Sequence, residues 1–217
     1  MSSAMLDLIL KATLDTLYMV GVSSLLSALL GVPLGVLLYV TRPRQILAQP
    51  ALNRVLGVVT NIGRSVPFII LMVAIIPFTR MIAGTSIGTN AAVVPLTIAA
   101  IPFVARLVEG ALNEISPGLI EAAQSMGATP LQIITKVLLP EALGGIITGL
   151  TITVVTLVSY SAMAGAVGGG GLGDLGIRYG YNRFDPTVML ITVAILVVMV
   201  QGFQSLGDHL VRRTDHK

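Results

Sequence analysis

Few residues in this chain could support catalysis or bind a metal. The 217 residues include no Cys, which removes disulfides, thiolate metal sites and thiol catalysis. The two His residues, His209 and His216, lie near the C-terminus. Intramembrane serine proteolysis would need a Ser paired with His or Lys at membrane depth, and haem-based electron transfer would need two His; the long apolar segments offer neither. We therefore expect no catalytic residue, no metal site, no cofactor bound by this chain, and a protein that is not an enzyme.

A glycine-rich run at residues 168–173 matches the G-x-G-x-x-G pattern of dinucleotide sites. That chemistry needs a strand before the run and a helix N-terminus after it. Here a long apolar segment precedes the run, which favours a flexible extracytoplasmic segment that changes shape as a pathway opens. The phosphate-loop pattern ending in Gly-Lys is absent, so any ATP hydrolysis must come from a partner.

The composition indicates a membrane protein. Charged residues make up 11% of the chain, against about 25% in a typical soluble domain. A helix needs about 20 mainly apolar residues to cross a bilayer. The apolar segments predict an all-α, polytopic membrane protein, a single domain over residues 1–217, with five transmembrane helices near residues 14–40, 54–77, 91–112, 142–167 and 187–207. The net charge of +3 is interpreted as a topology signal and not as a nucleic-acid-binding surface. We therefore expect membrane lipid, and no nucleic acid, among the partners.

The basic residues predict the orientation of the spans. The connection 41–54 carries three Arg and no acidic residue, so the positive-inside bias places it in the cytoplasm. Alternation then places the N-terminus and the connections 80–90 and 174–186 outside, and the connection 113–141 inside. The C-terminal tail carries two Arg and Lys217, in agreement with a cytoplasmic C-terminus.

The cytoplasmic connection 113–141 predicts two short helices. Ser116–Pro117 and Thr129–Pro130 each place a capping residue before a Pro at the first helical position, and the second helix runs to Pro140. Gly127 stands where a left-handed residue would end the first helix. Apolar residues recur on one face of that helix: Leu119, Ile120, Ala123 and Met126. Such a face could lie on lipid headgroups, but the scarcity of basic residues favours docking to a protein.

The same connection carries a family motif. Glu121-Ala122-Ala123, then Gly127 after three residues, then Val-Leu-Leu-Pro at 137–140, resembles the EAA loop of ABC-importer permeases, with Val137 in place of the usual Ile. The resemblance implies a type I ABC importer permease fold in which this loop forms a cytoplasmic coupling helix that docks on an ATPase subunit. The implied ATPase-coupling residues are Leu119, Ile120, Glu121, Ala122, Ala123, Met126 and Gly127. ATP and Mg²⁺ would be used by the partner ATPase.

Four further segments, at residues 38–43, 64–69, 76–80 and 160–168, resemble the methionine-uptake branch of these permeases. The likeness implies ATP-driven import of methionine (L-methionine, with D-methionine left open as a second substrate) across a bacterial inner membrane by alternating access. Two ABC ATPase subunits and an extracytoplasmic methionine-binding protein or lipoprotein would be its partners. One five-span chain cannot easily enclose a pathway, so we expect a homodimer with a second copy and the pathway on its two-fold axis. A permease for a betaine or another amino acid stays open, as does, in another class, an energy-independent channel or structural membrane subunit.

Asn61, Arg64 and Ser65, within the second span, are candidates for the substrate pathway. They precede Val66–Pro67, where the residue before Pro favours a local break in the helix. A charge at that depth costs about 2.5–3.5 kcal/mol and normally faces protein or a water-filled cavity. Arg64 therefore either lines the pathway or is held by backbone carbonyls of a neighbouring span, and we favour the second interpretation.

Tyr160, Ser161 and Met163, near the end of the fourth span, are candidates for a gate. Ser and Tyr offer hydrogen bonds without charge, and the flexible Met thioether adapts to varied neighbours. Ordinary helix packing is the alternative, because small residues also let spans approach closely. Both interpretations stay open.

One ion pair is also predicted. Arg106 and Glu109 lie three residues apart on one face near the cytoplasmic end of the third span, a spacing at which opposite charges meet. We expect this pair to be structural.

Overall fold

The computed structural model describes residues 3–214, and every regular element in that range is helical. His216 and Lys217 lie outside the described residues. In chain order the α-helices are α1 (Ser3–Val40), α2 (Pro50–Ser65), α3 (Phe68–Ala74), α4 (Ile76–Ala83), α5 (Thr89–Asn113), α6 (Pro117–Ser125), α7 (Pro130–Ile133), α8 (Leu139–Glu141), α9 (Leu143–Ala166), α10 (Gly171–Leu175) and α11 (Pro186–Thr214). Two π-helical turns, Ile134–Leu138 and Gly176–Tyr181, follow α7 and α10.

Within residues 3–214, four helices are long and apolar enough to cross a membrane: α1, α5, α9 and α11. α2 and α3 add a fifth crossing if they count as one span, although the chain bends by 100° between them. The predicted second span near 54–77 is therefore a bent pair of helices, and the predicted break at Val66–Pro67 is confirmed. The physical reason is that Val66 precedes a Pro and takes an extended conformation (φ −80°, ψ 125°) instead of a helical one.

The bundle is built on the packing of α1 against α5. Gly31 and Gly35 on α1 face α5, and a Cβ atom built on Gly35 would lie 2.6 Å from the carbonyl oxygen of Ala105 and 2.7 Å from Val108 Cβ. The two backbones therefore approach more closely than larger residues permit, as is common between transmembrane helices. α5 is thereby fixed along its length, and it leads directly into the segment that carries the EAA-like motif.

The short helices predicted in the connection 113–141 are confirmed. α6 begins at Pro117, and Gly127 has the expected left-handed backbone (φ +78°). Thr129 forms a capping box with Gln132: the Thr129 hydroxyl accepts from the Gln132 backbone N–H, and the Thr129 N–H donates to Gln132 Oε1 at 2.8 Å. Helical structure then continues through the π-helical turn to Glu141.

The glycine-rich run, predicted to be a flexible segment, leads into a packed helix. It turns back after α9 and starts α10, which packs against α9 and α1. A Cβ atom on Gly173 would lie 2.6 Å from Ala162 Cα. Leu172 is fully buried, and its N–H donates to Thr16 Oγ1 at 2.8 Å. The glycines therefore allow backbone-to-backbone packing, a long-range reason that their run in the sequence does not reveal.

Candidate coupling and translocation site

The EAA-like segment is anchored by one part of its apolar face and exposes the rest. Ile120 and Ala123 are buried in a core cluster with Leu112, Ile133 and other residues of the bundle. The apolar face predicted to meet a partner protein is therefore directed to the chain's own core at Ile120 and Ala123. These two side chains hold α6 against the rest of the chain, because burying them here removes their apolar surface from water.

The outward side of the segment combines apolar and polar residues. Met126 is 82% exposed and Leu119 is 40% exposed, while Glu121, Ala122 and Gly127 are also exposed. Leu131, which follows these residues at the start of α7, is 69% exposed. It was not among the predicted ATPase-coupling residues. Met126 and Leu131 thus leave large apolar side chains exposed on either side of the left-handed Gly127, as is typical of residues that meet a partner protein.

A cluster of charged residues lies just before this segment, on the last turns of α5. The predicted ion pair between Arg106 and Glu109 is confirmed, with Arg106 Nη1 2.6 Å from Glu109 Oε2. Arg42, from the turn after α1, joins it: its Nη2 lies 2.6 Å from Glu109 Oε1, and its Nη1 donates to Asn113. The Glu109 side chain is only 5% exposed, so the two cations compensate a carboxylate that has lost most of its hydration.

Asn61 belongs to the same cluster. Arg106 Nη2 donates to Asn61 Oδ1 at 3.0 Å and to the carbonyl oxygen of Gly57 at 2.9 Å, so one guanidinium connects α5 to α2. The side chain of Asn61 is consequently fixed by Arg106. Sequence reasoning did not find this link, because Gly57 and Arg106 are 49 residues apart.

Arg64 and Ser65 lie at the end of α2, immediately before the break. Ser65 Oγ donates to the carbonyl oxygen of Asn61 at 2.6 Å, within its own helix. Arg64 is exposed, and within residues 3–214 its side chain makes no hydrogen bond or salt bridge. The carbonyl contacts expected for a structural Arg64 are therefore not found among these residues.

Tyr160, Ser161 and Met163 do not form one cluster. Ser161 is 1% exposed and its hydroxyl donates to the carbonyl oxygen of Val158 at 2.7 Å, so it packs inside the bundle. Tyr160 stacks on Phe68 of α3, with ring centroids 4.6 Å apart and planes 6° apart. An α-helix turns by about 100° per residue, so Ser161 and Met163, two positions apart, lie about 200° apart around α9 and face different sides.

Met163 opens onto an apolar cavity of about 650 Å³ between α3, α9 and α11. Met163 is 46% exposed, and most of the lining is aliphatic, with Ser159 and Gln201 as its polar members. Of the predicted gate residues, the structure thus leaves Met163 accessible, Tyr160 half-buried and Ser161 buried. Within the described residues, no group of three His, Asp or Glu side chains could hold a metal ion.

Comparison with known proteins agrees with this architecture. The chain is 65% identical to the probable D-methionine transport system permease protein MetI of Vibrio cholerae over 97% of this chain and 94% of that protein. It is 58% identical to the D-methionine transport system permease protein MetI of Escherichia coli K12 over 76% of each chain.

The fold matches a solved structure of the MetNI methionine ABC transporter in inward-facing conformations, with a TM-score of 0.98, 54% identity and full coverage of both chains. Residues 31–216 match the family described as the binding-protein-dependent transport system inner membrane component. Because that match covers most of the chain, the protein belongs to the binding-protein-dependent transport system inner membrane component family.

Proposed function

We propose that this chain is the membrane-spanning permease subunit of an ATP-driven importer of methionine, taking L-methionine and D-methionine. The observation that carries the proposal is the match over the full length of both chains to the permease of a methionine ABC transporter at 54% identity. Relatives named D-methionine permeases at 58–65% identity support the same substrate. The chain contributes a path through the membrane, while ATP and Mg²⁺ are bound by a separate ATPase subunit.

The permease works as a homodimer with the pathway on its two-fold axis. The cavity beside Met163 supports this arrangement, because it is open at the surface of a single chain. α3, α9 and α11 expose the large apolar residues Ile69, Ile70, Val73, Ile152, Leu190, Val197 and Val198 that a second copy or lipid would cover. We assign Met163 to the gate, with Tyr160 setting the position of α9 through its stacking on Phe68.

Two ATPase subunits dock on the two copies of the EAA-like segment. Leu119, Glu121, Ala122, Met126 and Gly127 form the docking surface. Ile120 and Ala123, which are buried in this chain, transmit movement of α6 to the bundle because they pack into the same core as Leu112 of α5.

The N-terminus lies outside the bacterial inner membrane and the C-terminus in the cytoplasm. Arg42 supports this orientation, since it binds Glu109 and Asn113 and thereby brings the Arg-rich turn to the end of the bundle that carries the EAA-like segment. A binding protein or lipoprotein delivers methionine at the opposite end. There α10 is fixed to α1 through Thr16, and Gly88 donates to the carbonyl oxygen of Gly168 at 2.8 Å.

Uptake of labelled L-methionine into proteoliposomes tests the proposal. The vesicles carry this chain with its ATPase and binding protein, with and without ATP, and with excess D-methionine, glycine betaine or leucine as competitors. Uptake that requires ATP and is blocked only by methionine-like competitors is the expected result. ATP-dependent uptake of another solute would contradict the substrate, and uptake indifferent to ATP would contradict the coupling mechanism.

A further inference from the structure

The charged cluster on α5 connects the turn after α1 to α5 through one carboxylate. Glu109 accepts hydrogen bonds from Arg42 Nε at 3.0 Å and from Arg106 Nη1 at 2.6 Å. Arg42 also donates to Asn113, the last residue of α5. The turn after α1 is therefore fixed to α5 immediately before the EAA-like segment begins.

Arg106 carries the connection onward to α2. The same guanidinium that binds Glu109 donates to the carbonyl oxygen of Gly57 at 2.9 Å and to Asn61 Oδ1 at 3.0 Å. Only a planar group with several donors can contact both helices in this way, and a Lys ammonium at the same position is a compact point charge. α2 and α5 are therefore held together by a charge-assisted contact.

Further contacts lead from α2 to the helix that carries Met163. α2 ends at Ser65, and the chain turns by 100° into α3. Phe68, the first residue of α3, stacks on Tyr160 of α9 at 4.6 Å. At the other end of the route, Leu112 and Ile120 share one core cluster, which joins α5 to α6. Packed groups, hydrogen bonds and the chain itself thus join the EAA-like segment to the candidate gate.

We propose that Glu109 is a positioning residue for transport: by orienting the guanidinium of Arg106, it makes α5 and α2 move together when the EAA-like segment moves. The physical reason is that Glu109 holds the guanidinium of Arg106 in place, and separating α2 from α5 would take Gly57 O and Asn61 Oδ1 away from that guanidinium. Leaving such a partly buried donor without its acceptors is unfavourable. Movement of α6 then reaches α3 and α9 instead of being lost between α5 and α2. This inference rests on the proposed function, since it assigns a role within ATP-driven import.

The test compares the number of methionine molecules imported per ATP hydrolysed in the complete complex in proteoliposomes. Glu109→Gln removes the buried charge but keeps the shape, and Arg106→Lys keeps a cation beside Glu109 but loses the contacts to α2. Glu114→Gln is the matched control, because Glu114 is exposed and makes no salt bridge within residues 3–214. We expect both cluster variants to hydrolyse ATP yet import about 5-fold fewer molecules per ATP, and Glu114→Gln to match the wild type.

The outcomes separate this inference from the proposed function. If the wild type shows no ATP-dependent methionine import, the proposed function fails and this inference with it. If the wild type imports methionine and both cluster variants keep the wild-type ratio, the inference is overturned while the proposed function stands. A purely structural role would reduce the amount of assembled complex without changing the ratio. If Glu109→Gln does not assemble, the charge-conserving Arg106→Lys decides.

Discussion

Replacing Gly35 by Ala should disrupt the packing that positions α5. The added Cβ would lie 2.6 Å from the carbonyl oxygen of Ala105, whereas ordinary contact begins at 3.4 Å. α1 and α5 would therefore have to separate locally by about 0.8 Å, the difference between these two distances. The obstacle on α5 is backbone, which cannot rotate away as a flexible side chain could. Overpacking of this kind costs about 1–3 kcal/mol.

Gly21→Ala, in the same helix, is the matched control. A Cβ atom on Gly21 would meet nothing within 4 Å. Both substitutions gain the same helix-propensity advantage of Ala over Gly, about 0.5–1 kcal/mol. The difference between the two variants therefore isolates the packing cost of about 1–3 kcal/mol, with Gly21→Ala the more stable.

Thermal unfolding of the purified protein in detergent measures this difference. For a chain of this length, about 2–4 °C of Tm corresponds to 1 kcal/mol, so a packing cost of about 2 kcal/mol predicts that Gly35→Ala unfolds about 4–8 °C below Gly21→Ala. A Gly35→Ala variant that unfolds at or above the temperature of Gly21→Ala would refute the reasoning. The two helices would then tolerate a wider separation than the structure indicates.

Three further predictions concern the candidate site and the contact between α10 and α1. Gly127→Val should lower ATPase co-purification and uptake because the left-handed backbone (φ +78°) costs a β-branched residue about 1–2 kcal/mol, whereas Gly127→Asn should retain both. Met163→Trp should reduce methionine uptake without lowering the amount of purified protein, since Met163 is 46% exposed; unchanged uptake would contradict the gate assignment. Thr16→Val should lower Tm through the unpaired N–H of Leu172, a loss of about 1–3 kcal/mol, and an unchanged Tm would show that this contact is dispensable.

The sequence predicted the features that depend on neighbouring residues. The EAA-like spacing, the Pro residues at 117 and 130 and the left-handed Gly127 are local, and the structure confirms the helices and the turn that they indicate. The break at Val66–Pro67 follows from a clash between adjacent residues. The Arg106–Glu109 pair lies within one helical turn, so its spacing was sufficient to predict it.

Only the tertiary structure decided which side chains meet across the chain. Arg42 reaches Glu109 over 67 positions of sequence, and Thr16 binds Leu172 over 156. The burial of Ile120 in the chain's own core likewise depends on how α6 lies against α5. Periodicity shows which residues share a helix face but not what that face contacts, because contact partners are set by the packing of distant segments. The spans, the orientation signals and the coupling motif are therefore local properties of the sequence, whereas the charged cluster and the packing of α10 against α9 and α1 arise only when the helices assemble.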